Sequence, residues 1–127
     1  MNDRVLVFLD PDPSRAAVHY QRLVETDRAR TFWTKTVKET LEILAVYRDR
    51  LEEVSLEYDL GEEPNAHPSR DDCGMEIVRW LEKTDSTLYK HVQFVVHSWN
   101  IQAAAKMIVR LKDAGYNVAT APFGTRK

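Results

Sequence analysis

The chain has 127 residues, of which 43% are hydrophobic and 30% are charged. This length fits one compact domain, and the composition excludes an intrinsically disordered chain. The formal net charge of −2 offers no basic footprint for nucleic acid or an anionic membrane. No apolar run approaches the roughly 20 residues that a membrane-spanning helix needs.

The cellular compartment is predicted from the cysteine content and the first residues. Cys73 is the single cysteine, so it can form no internal disulfide, and we expect an unreactive thiol in a polar loop. The N-terminus has no basic segment followed by an apolar one, so we expect no secretory signal. A cytoplasmic location is therefore predicted.

The first half of the chain alternates between predicted strands and helices. The apolar run before Asp10 stops at two prolines, which is typical of a central strand that is buried on both faces. Thr36 is a candidate cap for the second helix, with Glu39 completing a capping box. The predicted elements are a strand over 4–9, a helix over 14–24, an edge strand over 30–36 and a helix over 37–51.

The second half continues the same alternation. Gly74 opens a helix that carries Trp80, and Gly115 ends the last helix. The predicted elements are a strand over 53–61, a polar loop over 62–73, a helix from Gly74, a strand over 91–96, a helix over 101–114 and a strand over 117–121.

This order of elements predicts the fold. Strands that alternate with helices indicate an α/β domain of three layers, with a mostly parallel sheet and right-handed crossovers. We predict a single receiver- or flavodoxin-like domain over residues 1–127, with five strands in the order 2-1-3-4-5. In such sheets ligands bind beyond the carboxyl ends of the strands, at the switch point of the topology.

Polar side chains lie at the carboxyl-terminal ends of three of the predicted strands. Oxygen-rich clusters of this kind suit a hard cation such as Mg²⁺, which shares carboxylates with a phosphate. The imidazole has a pKa near neutrality and suits general acid–base work. The candidate residues are Asp10 and Asp12 after the first strand, Glu57 and Asp59 in the carboxyl-terminal half of the third, and His97, Ser98 and Asn100 after the fourth.

Several motifs carry a resemblance to a known family. They are Leu9-Asp10-x-Asp12, the Val-Ser-Leu-Glu-Tyr-Asp-Leu-Gly run at 54–61, Gly74 before Trp80, and His97-Ser98-x-Asn100. Together they resemble the cyclic-phosphate-processing receiver-like domain, a divergent relative of response-regulator receivers, over nearly the whole chain. The resemblance implies a receiver-like fold that handles cyclic or other nucleotide phosphates. Its site positions correspond here to Asp10, Asp59, His97, Ser98 and Asn100.

The chain departs from that family pattern at three places. Pro11 separates Asp10 from Asp12, where the family has adjacent acids, and Glu57-Tyr58 replaces the usual Asp-His. The loop before Gly74 is also long and carries two extra acids, at positions 71 and 72. Ordinary phosphorelay is disfavoured, because the segment after the fifth strand, 121–124, contains no lysine of the kind that signalling receivers use.

Two functions follow as alternatives. In a phosphoesterase, Asp10, Asp12 and Asp59 would hold Mg²⁺, while His97, Asp59 and Glu57 would be catalytic. Ser98 and Asn100 would orient the oxygens of a small phosphorylated ligand or nucleotide. The alternative is a non-catalytic receiver-like module that binds a nucleotide or a protein partner. A third possibility is a dimer-forming scaffold.

The same side chains also have purely structural explanations. Asp favours turns and caps, and both Ser98 and Asn100 can cap the helix that follows them. Trp99 could stack on a base, and Arg15 and Arg70 could contact a phosphate or simply lie at the surface.

Overall fold

The computed structural model describes residues 4–23, 29–60, 73–98 and 100–120. The five strands are β1 (Arg4–Leu9), β2 (Ala29–Thr34), β3 (Leu51–Leu56), β4 (Gln93–Val96) and β5 (Asn117–Thr120). The four α-helices are α1 (Pro13–Leu23), α2 (Val37–Val46), α3 (Gly74–Glu82) and α4 (Ile101–Asp113). Two short 3₁₀ turns lie at Arg48–Arg50 and Ser86–Tyr89.

The strands form one parallel sheet in the order β2-β1-β3-β4-β5, flanked by the helices. This confirms the predicted fold class and strand order, and it confirms that β2 is an edge strand. The central strand β1 is buried along nearly its whole length, because helices cover both faces of the sheet there.

The larger core lies between one face of the sheet and the layer formed by α2, α3 and α4. Side chains that alternate along the strands point to this layer, and they include Val7, Val54 and Phe94. The hydroxyl of Tyr89 donates a hydrogen bond to the carbonyl of Leu44 at 3.0 Å, so the polar atom of this buried side chain is satisfied.

The opposite face of the sheet carries the intervening side chains and α1. Leu6 and Phe8 of β1 point to this face, where they are buried together with Ala16 of α1. We call it the α1 face. Among the described residues, no helix is long and apolar enough to cross a membrane.

Helix α2 is shorter than predicted. It ends at Val46, and a 3₁₀ turn leads directly to Leu51, which is the first residue of β3. The prediction of a helix over 37–51 was wrong at its end because Leu51 continues the helical spacing. Its side chain is instead buried in the sheet, beside Val5.

Strand β3 also differs from its prediction over 53–61, because it ends at Leu56. Beyond that point the backbone N–H groups of Tyr58 and Asp59 turn towards the side chain of Glu57, and they donate to its Oε2 at 3.0 and 3.1 Å. A carboxylate that binds its own following backbone in this way favours a turn over a continued strand.

The start of α3 packs tightly against the turn after β3. The N–H of Gly74 donates to the carbonyl of Tyr58 at 2.8 Å. A Cβ atom at this position would lie only 2.3 Å from the carbonyl oxygen of Glu57, so the approach requires glycine. Cys73, which we expected in a polar loop, is fully buried here and caps the helix with its backbone.

Candidate functional site

Backbone hydrogen bonds place three candidate residues side by side at the carboxyl edge of the sheet. Each is the first residue beyond its strand, and each donates its N–H to the last carbonyl of the neighbouring strand. The pairs are Asp10 to Thr34 at 3.0 Å, Glu57 to Leu9 at 3.1 Å and His97 to Leu56 at 3.0 Å. The parallel ladder therefore extends one step past the strands and fixes the spacing of the site.

The strand register also explains the direction of these side chains. Phe8 lies opposite Ser55, and the residues two positions further along are Asp10 and Glu57. His97 holds the equivalent place after β4. Because side chains in a strand alternate between faces, all three site residues share the α1 face with Phe8. The imidazole stacks on the Phe8 ring, with centroids 4.6 Å apart and planes at 7°.

The Asp10 carboxylate is fully buried and receives four hydrogen bonds. Oδ1 accepts from the Asp12 N–H at 2.8 Å and from Arg15 Nη2 at 3.0 Å. Oδ2 accepts from Arg15 Nε at 2.7 Å and lies 3.1 Å from His97 Nε2. Burial acts to raise the pKa of Asp10, but the hydrogen bonds from His97 and Arg15 outweigh it and lower that pKa below its ordinary value.

His97 is held at both ring nitrogens. An ionised Asp10 can only accept, so Nε2 must carry the proton that is shared with it. Nδ1 lies 2.6 Å from the hydroxyl of Ser55, which donates to it when the ring is neutral. The order serine–histidine–aspartate is that of a hydrolase triad, but Ser55 is buried within β3, two residues before Glu57 and the carboxyl edge at which the other site residues lie. Ser55 is a positioning residue for the ring.

Glu57 is the second buried carboxylate of the site. Its Oε2 accepts from the hydroxyl of Ser98 at 2.7 Å as well as from the two N–H groups of the turn. Its Oε1 has no hydrogen-bond partner among the described residues and lies 4.0 Å from Arg15 Nη2. Burial raises the pKa of Glu57 to about 7, despite the opposing hydrogen bonds from Ser98 and the Asp59 N–H.

Ser98 and Asn100 connect the site to the N-terminus of α4. The Ser98 hydroxyl accepts from the Asn100 N–H at 3.1 Å while it donates to Glu57. The Asn100 side chain caps α4 by accepting from the Ala103 N–H at 3.1 Å. The capping role that the sequence allowed for Asn100 is therefore present in the structure.

The other two predicted acids lie at the margin of this network. Asp12 precedes α1, and its Oδ1 accepts from both the N–H and the hydroxyl of Ser14, at 2.9 and 2.8 Å. These contacts lower the pKa of Asp12. Asp59 is partly exposed and joins the network through its backbone N–H.

A metal ion could bind at this site. Asp10, Glu57 and His97 each offer a ligand atom, and these atoms lie within 4.8 Å of one another. These side chains are of the kinds that bind divalent metal ions. The buried Oε1 of Glu57 has no hydrogen-bond partner among the described residues and could coordinate a cation, and imidazole is a common metal ligand. The group that the structure brings together contains Asp10 from the predicted metal set, with Glu57 and His97 in place of Asp12 and Asp59.

Three contributors to the network were not assigned from the sequence. Arg15 pairs with Asp10, Ser55 positions His97, and the indole N–H of Trp33 donates to the Asp10 carbonyl at 2.7 Å. The sequence left Arg15 either as a phosphate contact or as a surface charge. Only Ser55 carried a signal, as a lone polar residue between two buried apolar ones.

Some predicted features lie outside the described residues. They are the proposed stacking residue Trp99, most of the polar loop with Arg70, and the lysine-free segment 121–124.

Comparison with known proteins gives a family and a fold. Residues 5–113 match the cyclic-phosphate processing receiver domain. No curated protein matches the chain significantly.

Solved structures with the same fold include response-regulator receivers. The non-phosphorylated HemR receiver domain from Leptospira biflexa has a TM-score of 0.64 at 20% identity, covering 98% of this chain and 85% of that one. A CheY-like receiver from Methanospirillum hungatei JF-1 has a TM-score of 0.61 at 13% identity, covering 98% and 85%. The structure of CheY6 from R. sphaeroides in complex with the P1 domain of CheA3 gives 0.56 at 15% identity, covering 98% and 87%. At these identities the likeness establishes the fold alone.

Proposed function

The chain belongs to the cyclic-phosphate processing receiver family, and from that premise we propose that it binds a small cyclic phosphate or nucleotide at the carboxyl edge of its sheet. The observation that carries this proposal is the buried cluster of Asp10, Glu57 and His97, three ionisable side chains in register at adjacent strand ends. Burying such groups is costly, and sites of this kind are concentrated where proteins do chemistry.

The proposed reaction is hydrolysis of a cyclic phosphodiester. Water adds to phosphorus, one P–O ester bond breaks, and the leaving oxygen takes a proton. The N-terminus of α4 and the Asn100 side chain lie at the rim, where N–H donors suit phosphate oxygens. Ser98 is buried and donates to Glu57, so it would have to release that bond to orient a phosphate oxygen. His97 and Asp59 are the proposed proton-handling groups, with Glu57 assisting.

Mg²⁺ is the proposed cofactor, held by oxygens of Asp10, Asp12 and Asp59 or by the tighter Asp10–Glu57–His97 group. The chemistry that a bound divalent cation supplies is neutralisation of charge on the phosphate. The protein's own contribution is to fix these side chains before the ligand arrives, through the backbone ladder and the contacts with Arg15 and Ser55.

A second function is a non-catalytic module, and one observation favours it. Both oxygens of Asp10 and both nitrogens of His97 are already bonded to protein groups, which leaves them little capacity to act on a substrate. In that case the rim would recognise a nucleotide, or the fold would bind a protein partner.

A panel of nucleoside cyclic monophosphates and cyclic dinucleotides separates the two functions. Each compound is incubated with the wild-type chain and Mg²⁺, and both product formation and the shift in thermal midpoint are measured. Turnover that is lost in Asp59→Asn and His97→Gln, but retained in the control Glu76→Gln, supports the enzyme. Glu76 pairs with Arg79 on α3 and plays no part in the network.

A thermal shift without product would instead support the binding module. A wild-type chain that neither turns over nor is stabilised by any compound of the panel would contradict ligand binding at this edge.

A further inference from the structure

Arg15 is the cation that the structure places inside the carboxylate cluster. It lies in the first turn of α1 and reaches back to Asp10, five residues earlier, with Nε at 2.7 Å and Nη2 at 3.0 Å from the two oxygens. The same guanidinium lies 4.0 Å from Glu57 and 3.8 Å from Asp12. One positive side chain therefore faces three acids that come from two loops.

The bonding of Asp10 leaves no room for an additional cation. A carboxylate offers about four lone-pair sites. Here they receive four donors, two of them from Arg15, one from the Asp12 N–H and one from His97. A metal ion that coordinates Asp10 must therefore remove one of these donors. The Asp12 donor is a backbone group and the His97 ring is buried, whereas the Arg15 side chain is partly exposed and can turn away from the cluster.

The acceptor atom of Glu57 that has no hydrogen bond also indicates that a cation would displace Arg15. Oε1 of Glu57 is buried without a hydrogen-bond partner among the described residues, and Nη2 of Arg15 lies 4.0 Å from it. A ligand that completed the bonding of Glu57 Oε1 would have to approach the place that the guanidinium now holds.

We propose that Arg15 is the resident counter-cation of this cluster and that a divalent cation binds there only by displacing its guanidinium. This inference deepens the proposed function and rests on the same site. The metal ion and the guanidinium both neutralise the charge of Asp10, so they compete for the same place. The affinity of the wild-type chain for the metal is therefore reduced by the free energy of the Arg15 contacts that must be broken.

The test compares metal binding in the wild type and in Arg15→Gln, without any phosphate ligand. Mg²⁺ and Mn²⁺ are titrated by calorimetry, and the thermal midpoint is followed against cation concentration. We expect the variant to bind Mn²⁺ at least about tenfold more tightly than the wild type, the order of one lost charge-assisted hydrogen bond. Arg15→Lys keeps the charge but loses the two-pronged contact, so its affinity should lie between the two.

Arg110→Gln is the matched control, because Arg110 also contacts a carboxylate, that of Glu82, through two nitrogens, on helices α3 and α4. It should bind cations as the wild type does. A variant Arg15→Gln that folds only when cation is added also supports the proposal. Equal cation affinity in the wild type and Arg15→Gln overturns it, as does a variant that stays unfolded at saturating cation.

The two proposals can fail separately. Metal affinity is measured here without substrate, so its outcome does not depend on whether a cyclic phosphate is bound or hydrolysed. Conversely, a panel with no active compound leaves the competition between Arg15 and the cation intact.

Discussion

On the face of the sheet that packs against α2, α3 and α4, Val7, Val54 and Phe94 lie side by side in an apolar layer. On the α1 face, the same strands present Ser55 and, two residues further along, Glu57 beside His97. Both sets are buried, but water has been replaced by apolar carbon in one and by hydrogen bonds and charges in the other.

This contrast separates what stabilises the fold from what could act on a ligand. Burial of apolar surface is non-directional and does not depend on pH. The network on the α1 face depends on protonation and on every partner being present, because a buried polar group that loses its partner is destabilising. We therefore expect that mutations on the two faces differ less in how much they change the free energy of unfolding than in how that change depends on pH.

The largest effect is expected on the apolar face, from Phe94→Ala. This ring is fully buried and packs edge-on against Tyr116, with centroids 5.4 Å apart. Its loss leaves a cavity, so the free energy of unfolding should fall by about 3–5 kcal/mol. Chemical denaturation at several pH values measures this, and the decrease should be nearly the same at each pH.

Val109→Ala is the control for that experiment, because Val109 is 56% exposed on α4. It should change the free energy of unfolding by less than about 0.5 kcal/mol. A strong pH dependence in the Phe94→Ala difference would contradict the separation of the two faces.

A smaller and pH-dependent effect is expected on the α1 face, from Glu57→Gln. The pKa of Glu57 rises from 4.5 to about 7 on folding. The native state thus binds this proton more tightly, and stability that is fully present below pH 4.5 is lost as the pH rises through about 7. The glutamine stays neutral at every pH. The free energy of unfolding of the variant should therefore increase relative to that of the wild type as the pH rises, by on the order of 3 kcal/mol at most.

Denaturation of both proteins between acid and mildly alkaline pH checks this. Glu76→Gln, which removes a carboxylate of α3 outside the Asp10–Glu57–His97 cluster, is the control. A wild-type chain whose stability rises from pH 5 to pH 8 relative to Glu57→Gln would show that the sign is wrong.

The sequence predicted the apolar face better than the polar one. Continuous apolar runs identify β1 and β4, and the alternation of strands and helices predicts a parallel α/β sheet whose possible topologies are narrowed by the handedness of crossovers. The prediction that Asp10, Glu57 and His97 lie at one edge followed from the parallel arrangement, because the carboxyl ends of parallel strands meet at the same edge of the sheet. The end of α2 was predicted wrongly, because Leu51 fits both a helical face and the first place of a buried strand.

The partners within the site lay beyond sequence reasoning for a physical reason. Ser55 and His97 are 42 residues apart, and their contact depends on the register between β3 and β4. The side chain of Arg15 could equally have pointed to solvent. Its place in the first turn of α1 brings it near the loop after β1 but does not determine its rotamer. Such choices are settled by tertiary packing and by the cost of leaving Asp10 unpaired.

The smallest effect should come from Asn100, where the two roles of the rim can be separated. Asn100→Ala removes the cap of α4 and should cost about 1 kcal/mol of unfolding free energy, whereas Asn100→Asp keeps an oxygen that accepts from the Ala103 N–H and should cost less. Aspartate also places negative charge at the helix N-terminus, which stabilises the helix but repels a phosphate. If Asn100 contacts a phosphate ligand, Asn100→Asp should therefore weaken binding of that ligand more than Asn100→Ala does, in thermal-shift titrations, although it is the more stable protein. Losses of binding that simply follow the losses of stability would assign Asn100 to the fold alone.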